Sequence, residues 1–414
     1  VLHDEADPAG TAATETTQRA VDASNALTAR WVRSIGRSSF VASGAAVWVL
    51  LGALATGAAG EARAELERAV GIPAGEGLDA AAALFAALQR LEGVGSALGI
   101  WIRDHVVLAP AWRAGTPVGE IRRLTGRPDR DRAELDAWAR ERTRGLLSEM
   151  PLPVTEGTLL VLASALVVKT RWATPFTDVP ALFRSGPWAG RVAAGLRVRV
   201  KEPDRVVIAG TPHGPITMFT VTGADDVDVH LATGASEMAP GVVLAEAIAT
   251  LEGAHPVRMG TDLAEGETAP CLAVSTILSP SDDPAWVDVR TVRFDLIGEH
   301  DLTADPDIFG IRTALDRTRG HFPGVSATPL AIDQATQVAR ARFGALGFEA
   351  GAVNPVGMRI GAPNDRFEVR LIELTFDRPF GFLAVDRSTG LVLFAGWVGD
   401  PEPYHPSAQS DPSD

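Results

Sequence analysis

Few residues of this chain are spaced to do chemistry on a substrate. Its eight histidines are scattered, and none forms the HExxH pair that sets two imidazoles on one helix face around zinc. There is no GxSxG turn to expose a serine, no Walker lysine loop, and no GxGxxG turn to cradle phosphates. The acidic pairs Asp225-Asp226 and Asp282-Asp283 sit among turn formers, where they read as solvated loop charges rather than a paired-acid site. Cys271 opens the strand-like run CLAVSTIL, which predicts a buried thiol rather than a nucleophile. No catalytic residue, metal or cofactor is therefore assigned, and the chain is not expected to be an enzyme.

The elements around these residues are more informative. Residues 20–33 have helical apolar spacing through Ala20, Ala23, Leu27 and Trp31. Residues 40–60 carry no charge and are long enough to span a bilayer. They are rich in Gly and Ala, lack an aromatic belt and run straight into Glu61, so a helix buried in a soluble core is the preferred reading. Helices are predicted over 61–70, 78–91, 132–144 and 238–251, and strands over 98–107, 158–168, 196–200, 216–221, 287–296 and 338–343. Helices come first and strands dominate later, which favours an α+β fold over a doubly wound sheet. The expected organisation is a flexible segment 1–14, one domain over 15–401 and a loose tail 402–414.

A net charge of −14 argues against nucleic acid or an anionic membrane as the main partner. The basic residues are nearly all Arg, which reads as a lineage bias because they form no single patch. With one cysteine there is no intrachain disulfide, and the redox compartment stays open. The sequence starts at Val1 and shows no leader, which leaves room for one already removed.

The last part of the chain holds the most specific pattern. Gly347-Phe348-Glu349-Ala350-Gly351-Ala352-Val353 opens a loop of small and apolar residues containing Pro355 and Pro363. Two β-type runs, RPFGFLAV from Arg378 and LFAGWV from Leu393, close it. This order resembles the hinge, reactive-centre loop and last two strands of a serpin, in a divergent, bacterial form. Earlier blocks are similar to the family in the same order. They are FVAS at 40–43, LDAW at 135–138, SALVVKTRW at 164–172 with Pro175-Phe176, VRFDL at 292–296 and FPGVS at 322–326.

The resemblance implies a serpin fold with three β-sheets, about eight or nine helices and an exposed reactive-centre loop at about 347–368. It implies a suicide-substrate inhibitor of serine endopeptidases, with cysteine proteases a second target class, acting as a monomer without membrane insertion. The extracellular space or cell envelope is the expected compartment, with the cytoplasm the alternative. A cut loop would enter the main sheet as a new strand, a strain-release switch. Aligning Gly347 with the hinge glycine puts Phe348, Ala350, Ala352, Asn354, Val356, Met358 and Ile360 on the inward face. Six of these seven are apolar, as a buried strand face requires. Glu349, Gly351, Val353, Pro355, Gly357 and Arg359 would face outward.

The departures favour a second reading, a non-inhibitory binding or carrier protein of the same fold. Ala345 stands where the family has an acid, and Phe348 where it has a small hydroxyl residue. Such overpacking would cost about 1–3 kcal/mol at the first insertion step. Pro355 would remove a ladder hydrogen bond. In the region that controls sheet opening, Ser43 is kept, Trp172 marks a strand top, and Ala46, Ser164 and Gln337 replace serine, asparagine and histidine. Counting from the hinge places the scissile bond at Gly361-Ala362, next to Ile360. Counting back from Pro379-Phe380 gives Glu368, while Arg359 and Arg366 offer trypsin-like sites.

Overall fold

Helix α1 (Pro8–Ser34) starts well before the predicted residue 20. Residues 8–14 of the stretch expected to be loose include three alanines, the strongest helix former, and lengthen the helix. After strand β1 (Phe40–Ala42), Ser43 caps α2 (Gly44–Gly57), its Oγ accepting from the Ala46 amide at 3.4 Å. Thirteen of the fourteen α2 residues are buried, which its uniformly apolar surface demands. No single helix among the described residues is long and apolar enough to cross a membrane. Helix α3 (Gly60–Val70) stops at Gly71, whose φ of 73° is a left-handed cap that glycine adopts freely.

Helix α4 (Gly77–Arg90), strand β2 (Val94–Arg103), helix α5 (Pro110–Gly115), strand β3 (Glu120–Leu124) and helix α6 (Pro128–Arg142) follow. Strand β4 (Leu160–Val168) is buried at every residue, and β5 (Thr170–Arg171) continues its line. Then β6 (Thr177–Leu182), β7 (Val192–Val200), β8 (Val206–Thr211), β9 (Gly214–Val221) and β10 (Val227–Thr233) are joined through turns containing Gly or Pro. Helix α7 (Pro240–Leu251) carries proline in its first turn, where the missing N–H costs nothing. Strand β11 (Val257–Met259) and the hairpin β12 (Thr268–Ala269) and β13 (Leu272–Ser279) come next.

Residues 287–296, expected as one strand, belong to two: β14 (Ala285–Val292) and β15 (Phe294–Asp301). Arg293 makes the break, its amide donating to the Ala194 carbonyl at 2.8 Å and its Nε to Asp178 Oδ1 at 2.8 Å. Helix α8 (Pro306–Phe309) and strands β16 (Gln334–Phe343), β17 (Gly347–Phe348), β18 (Phe367–Thr375), β19 (Phe380–Asp386) and β20 (Val392–Val398) complete the elements. This computed structural model describes residues 8–116, 120–142, 145, 149–150, 153–184, 186–280, 283, 285–348 and 367–405.

The strands form three sheets, so the fold is α+β with eight α-helices among the described residues. The main sheet runs β3-β2-β4-β16-β17-β5, with β15 also paired to β16. The second runs β1-β20-β19-β10-β9-β8-β11 and the third β12-β13-β18-β14-β7-β6. Helix α6 lies across one face of the main sheet, burying Trp138 with Trp101, Val161, Ala163, Ala165 and Val338. The Trp101 and Trp138 rings meet edge to face at 6.2 Å. Gly99 makes room for them, since a Cβ there would stand 2.9 Å from Trp138 Cζ2. The opposite face packs on α2 and the second sheet in the principal core.

Candidate functional site, a seam in the main sheet

Strands β4 and β16 run parallel and pair directly over seven rungs, from Gln334 with Val161 to Arg340 with Val167. Alternation sends Val161, Ala163 and Ala165 toward α6 and Leu160, Leu162, Ser164 and Leu166 toward α2. On that inner face one rung is polar. Ser164 of β4 pairs with Gln337 of β16, which pairs in turn with His300 of β15.

Each member of the rung behaves differently. The Gln337 amide closes on the backbone of Ser43: the Ser43 N–H donates to Oε1 at 3.2 Å, and Nε2 donates to the Ser43 carbonyl at 2.5 Å. Both residues are fully buried, so this pair fixes the start of α2 to the middle of β16. His300 Nε2 donates to the Val41 carbonyl at 2.8 Å, and burial pulls its pKa down, with that bond opposing. Ser164 stands alone: its buried hydroxyl has no hydrogen-bond partner. An orphan of this kind costs about 1–3 kcal/mol. His300 was not found from sequence, because its place depends on where β14 ends and β15 begins.

Past Arg340 the seam forks. Strand β17 enters between β16 and β5, antiparallel to both, with Phe348 opposite Phe343 and Thr170, and Gly347 opposite Arg171. Trp172 is the latch of this fork. Its Nε1 donates to the Gly344 carbonyl at 2.9 Å and its amide to the Leu346 carbonyl at 3.0 Å. The Phe176 amide takes the Ala345 carbonyl at 2.8 Å, and Gly344 N–H donates to Gly347 O at 3.0 Å. Phe348, expected to burden the first insertion step, is already seated and only 1% exposed. Its ring lies 6.3 Å from Phe382, 6.4 Å from Phe394 and 6.5 Å from Trp172. The aromatic lining of the second sheet supplies the space, so its bulk is core packing rather than strain.

The other end of the seam is tied by Asp333, which sequence reasoning also missed. Its Oδ2 accepts from the Leu159 and Leu160 amides at 2.6 and 3.1 Å, and Arg317 Nε stands 3.0 Å from Oδ1. Downstream of the loop, β18 is held on both flanks. It pairs with β13 over eight rungs, from Leu272 with Leu374 to Ser279 with Phe367, and with β14 over six. Glu368 is exposed but pairs with Leu278, so the count back from Pro379-Phe380 lands inside strand β18. Glu349, Ala350, Gly351, Ala352, Asn354, Pro355, Val356, Met358, Arg359, Ile360, Gly361, Ala362 and Arg366 lie outside the described residues.

The family profile for Serpin (serine protease inhibitor) matches residues 20–180 and 273–401, well over half of the chain. The chain belongs to the serpin family. Solved serpins agree in fold. Human thyroxine-binding globulin complexed with its hormone superposes with a TM-score of 0.71 at 16% identity, covering 94% of this chain and 100% of that one. Tengpin, a thermophilic serpin in its native state, gives 0.72 at 14%, covering 97% and 96%. Native protease nexin-1 with heparin gives 0.70 at 16%, covering 94% and 100%. No curated protein matches by sequence. The family holds both inhibitors and binding proteins, and identities this low establish the fold alone.

The other residues considered for chemistry in this serpin have structural surroundings. Cys271 occupies the β12–β13 turn at φ 57°, and burial pushes its thiol pKa up while Arg378 draws it down. Asp226 is exposed in the turn before β10, and Asp283 pairs with Lys201 at 2.8 Å. Among the described residues no group of three or more His, Cys, Asp or Glu could hold a metal ion.

Proposed function

We propose that this serpin inhibits serine endopeptidases as a suicide substrate, with cysteine proteases as a second class of target. The observation that carries the reading is the forked seam, with the first two loop residues already seated at the mouth of a closed β4–β16 pairing. A protease serine attacks the loop near Gly361-Ala362, the peptide bond breaks, and the upstream half stays on the enzyme as an acyl ester. That half is then free to zip down the seam from β17. Phe348 faces the core, so a period of two would place Ala350, Ala352, Asn354, Val356, Met358 and Ile360 on the same side. The seven β4–β16 rungs would be exchanged for two antiparallel ladders, one on each flank of the entering strand. Pro355 would face outward and forfeit one ladder bond, a local cost against many gained. Incubation with a panel of serine proteases should give a covalent adduct that survives denaturing electrophoresis. Clean cleavage without adduct for every protease would contradict the reading.

A second reading is a binding protein of the same fold. A cleft of about 460 Å³ between α1 and α7, lined by Asn25, Ile248, Leu251, Glu252 and Val392, favours it. Burial pushes the Glu252 carboxyl pKa up, with a bond to Asn25 opposing, which suits an uncharged or cationic ligand better than an acid. On this reading a cut between Arg359 and Ala362 leaves the melting temperature unchanged.

A further inference from the structure

A cavity of about 370 Å³ opens against β6, the edge strand of the third sheet. Its size falls in the range of small-molecule sites, ~300–1,000 Å³. Val179, Ala181 and Leu182 give it accessible apolar walls, over the buried Leu196 and Phe376. Strand β6 lies close because position 195 is glycine, where a Cβ would stand 2.7 Å from both the Ala181 Cβ and the Val179 carbonyl. The buried Thr291 also lines the cavity, and its hydroxyl has no hydrogen-bond partner.

The charge of this cavity runs against the charge of the chain. Arg184, Arg197 and Arg290 all line it, in a protein of net charge −14. One carboxylate, Asp288, answers most of them. It is 2% exposed, accepts from Arg197 Nε at 2.9 Å and Arg199 Nη2 at 2.7 Å, and stands 3.9 Å from Arg290 Nε. Glu373 is the other carboxylate within electrostatic reach of Arg197. Arg184 has no carboxylate partner among the described residues. Arg197, Arg199 and Arg290 thus share two carboxylates while Arg184 has none, and a planar guanidinium fork takes a carboxylate bidentately, the apolar lining favouring an organic acid over a bare ion such as phosphate.

We propose that this cavity binds a small organic anion, a carboxylate carried on an aliphatic or aromatic body. Arg184 and Arg290 pair with the carboxylate, and the body packs on Val179, Ala181 and Leu182. The proposal does not rest on the inhibitory reading above.

The test is titration calorimetry on the full chain with octanoate and 4-phenylbutyrate, against the matching primary amides and inorganic phosphate. The carboxylates should bind with a Kd below about 1 mM, weakening as salt screens the arginines. The amides, phosphate and the double variant R184A/R290A should each show at least tenfold weaker binding. Both arginines are exposed, so their removal leaves the packing intact. Equal binding of acid and amide, equal binding of phosphate, undiminished binding by the variant, or no binding of either acid would overturn the assignment. If the variant misfolds, the comparison of acid with amide on the unaltered protein decides.

Discussion

Gln337 satisfies both polar groups of the Ser43 backbone with one side chain, so its loss is felt twice. Gln337→Ala should lower the stability of the closed form by about 2–4 kcal/mol, since two buried backbone groups lose partners. Urea unfolding checks this, and a change below 1 kcal/mol would contradict it. Ser164→Ala should do the opposite: it removes an orphaned hydroxyl and should be neutral or stabilising by about 1 kcal/mol. Ser43, Ser164, Gln337 and Trp172 could be located in sequence because flanking blocks fix their positions in the chain. Asp333 could not. Its partners are backbone amides at Leu159 and Leu160, and no residue pattern announces which amides a distant carboxylate will meet. The seat of Phe348 is hidden from sequence for a related reason. Side-chain size is visible in sequence, whereas the aromatic hollow that receives it is assembled from Trp172, Phe382 and Phe394 on separate elements.

Among the elements, β18 is the one whose pairing bears on when the loop can move. Fourteen residues inserted from Gly347 would span ~46 Å at ~3.3 Å each. From residue 361 to Phe367 an uncut chain reaches only ~21 Å. Full insertion without cleavage therefore requires β18 to leave both β13 and β14. Thr276→Pro, in the middle of β13, should weaken that hold and, if the proposed inhibition holds, shorten the lifetime of the uncut form at 37 °C. Activity followed over days, with gels to exclude cleavage, measures it; an unchanged lifetime would count against the clamp. Most elements were legible in sequence, α2 and β4 from unbroken apolar runs and α6 from its amphipathic pattern. Strand β6 was not, because its residues are half-exposed or exposed throughout and lack an apolar face. The β14–β15 division was hidden because Arg293 breaks the strand through Asp178, far away in sequence.

For the whole molecule, acid sensitivity should come from histidines before carboxylates. Burial lowers His230 to about 4, with Asp228 opposing, and lowers His300 as well. Both are held neutral in the fold and charge readily once unfolded. For His230 the contribution is complete above pH 6.5 and is lost as pH falls from there through about 4, and that of His300 is lost in the same direction. Each pH unit in that window removes up to about 1.4 kcal/mol per histidine. Melting curves at pH 7.5, 5.5 and 4.5 should fall steadily, and His230→Asn should flatten the decline. An identical slope in the variant would contradict the assignment. Asp288 and Asp295, lowered by their arginine partners against the opposing effect of burial, lose their contribution only at more acid pH.

The central claim is that the β4–β16 seam is closed now and opens to accept a cut loop. Melting curves before and after limited proteolysis between Arg359 and Ala362 test it most directly. Cleavage should raise the melting temperature by ~10 °C or more, several kcal/mol at ~2 °C per kcal/mol. An unchanged or lower melting temperature after a complete, single cut would contradict it.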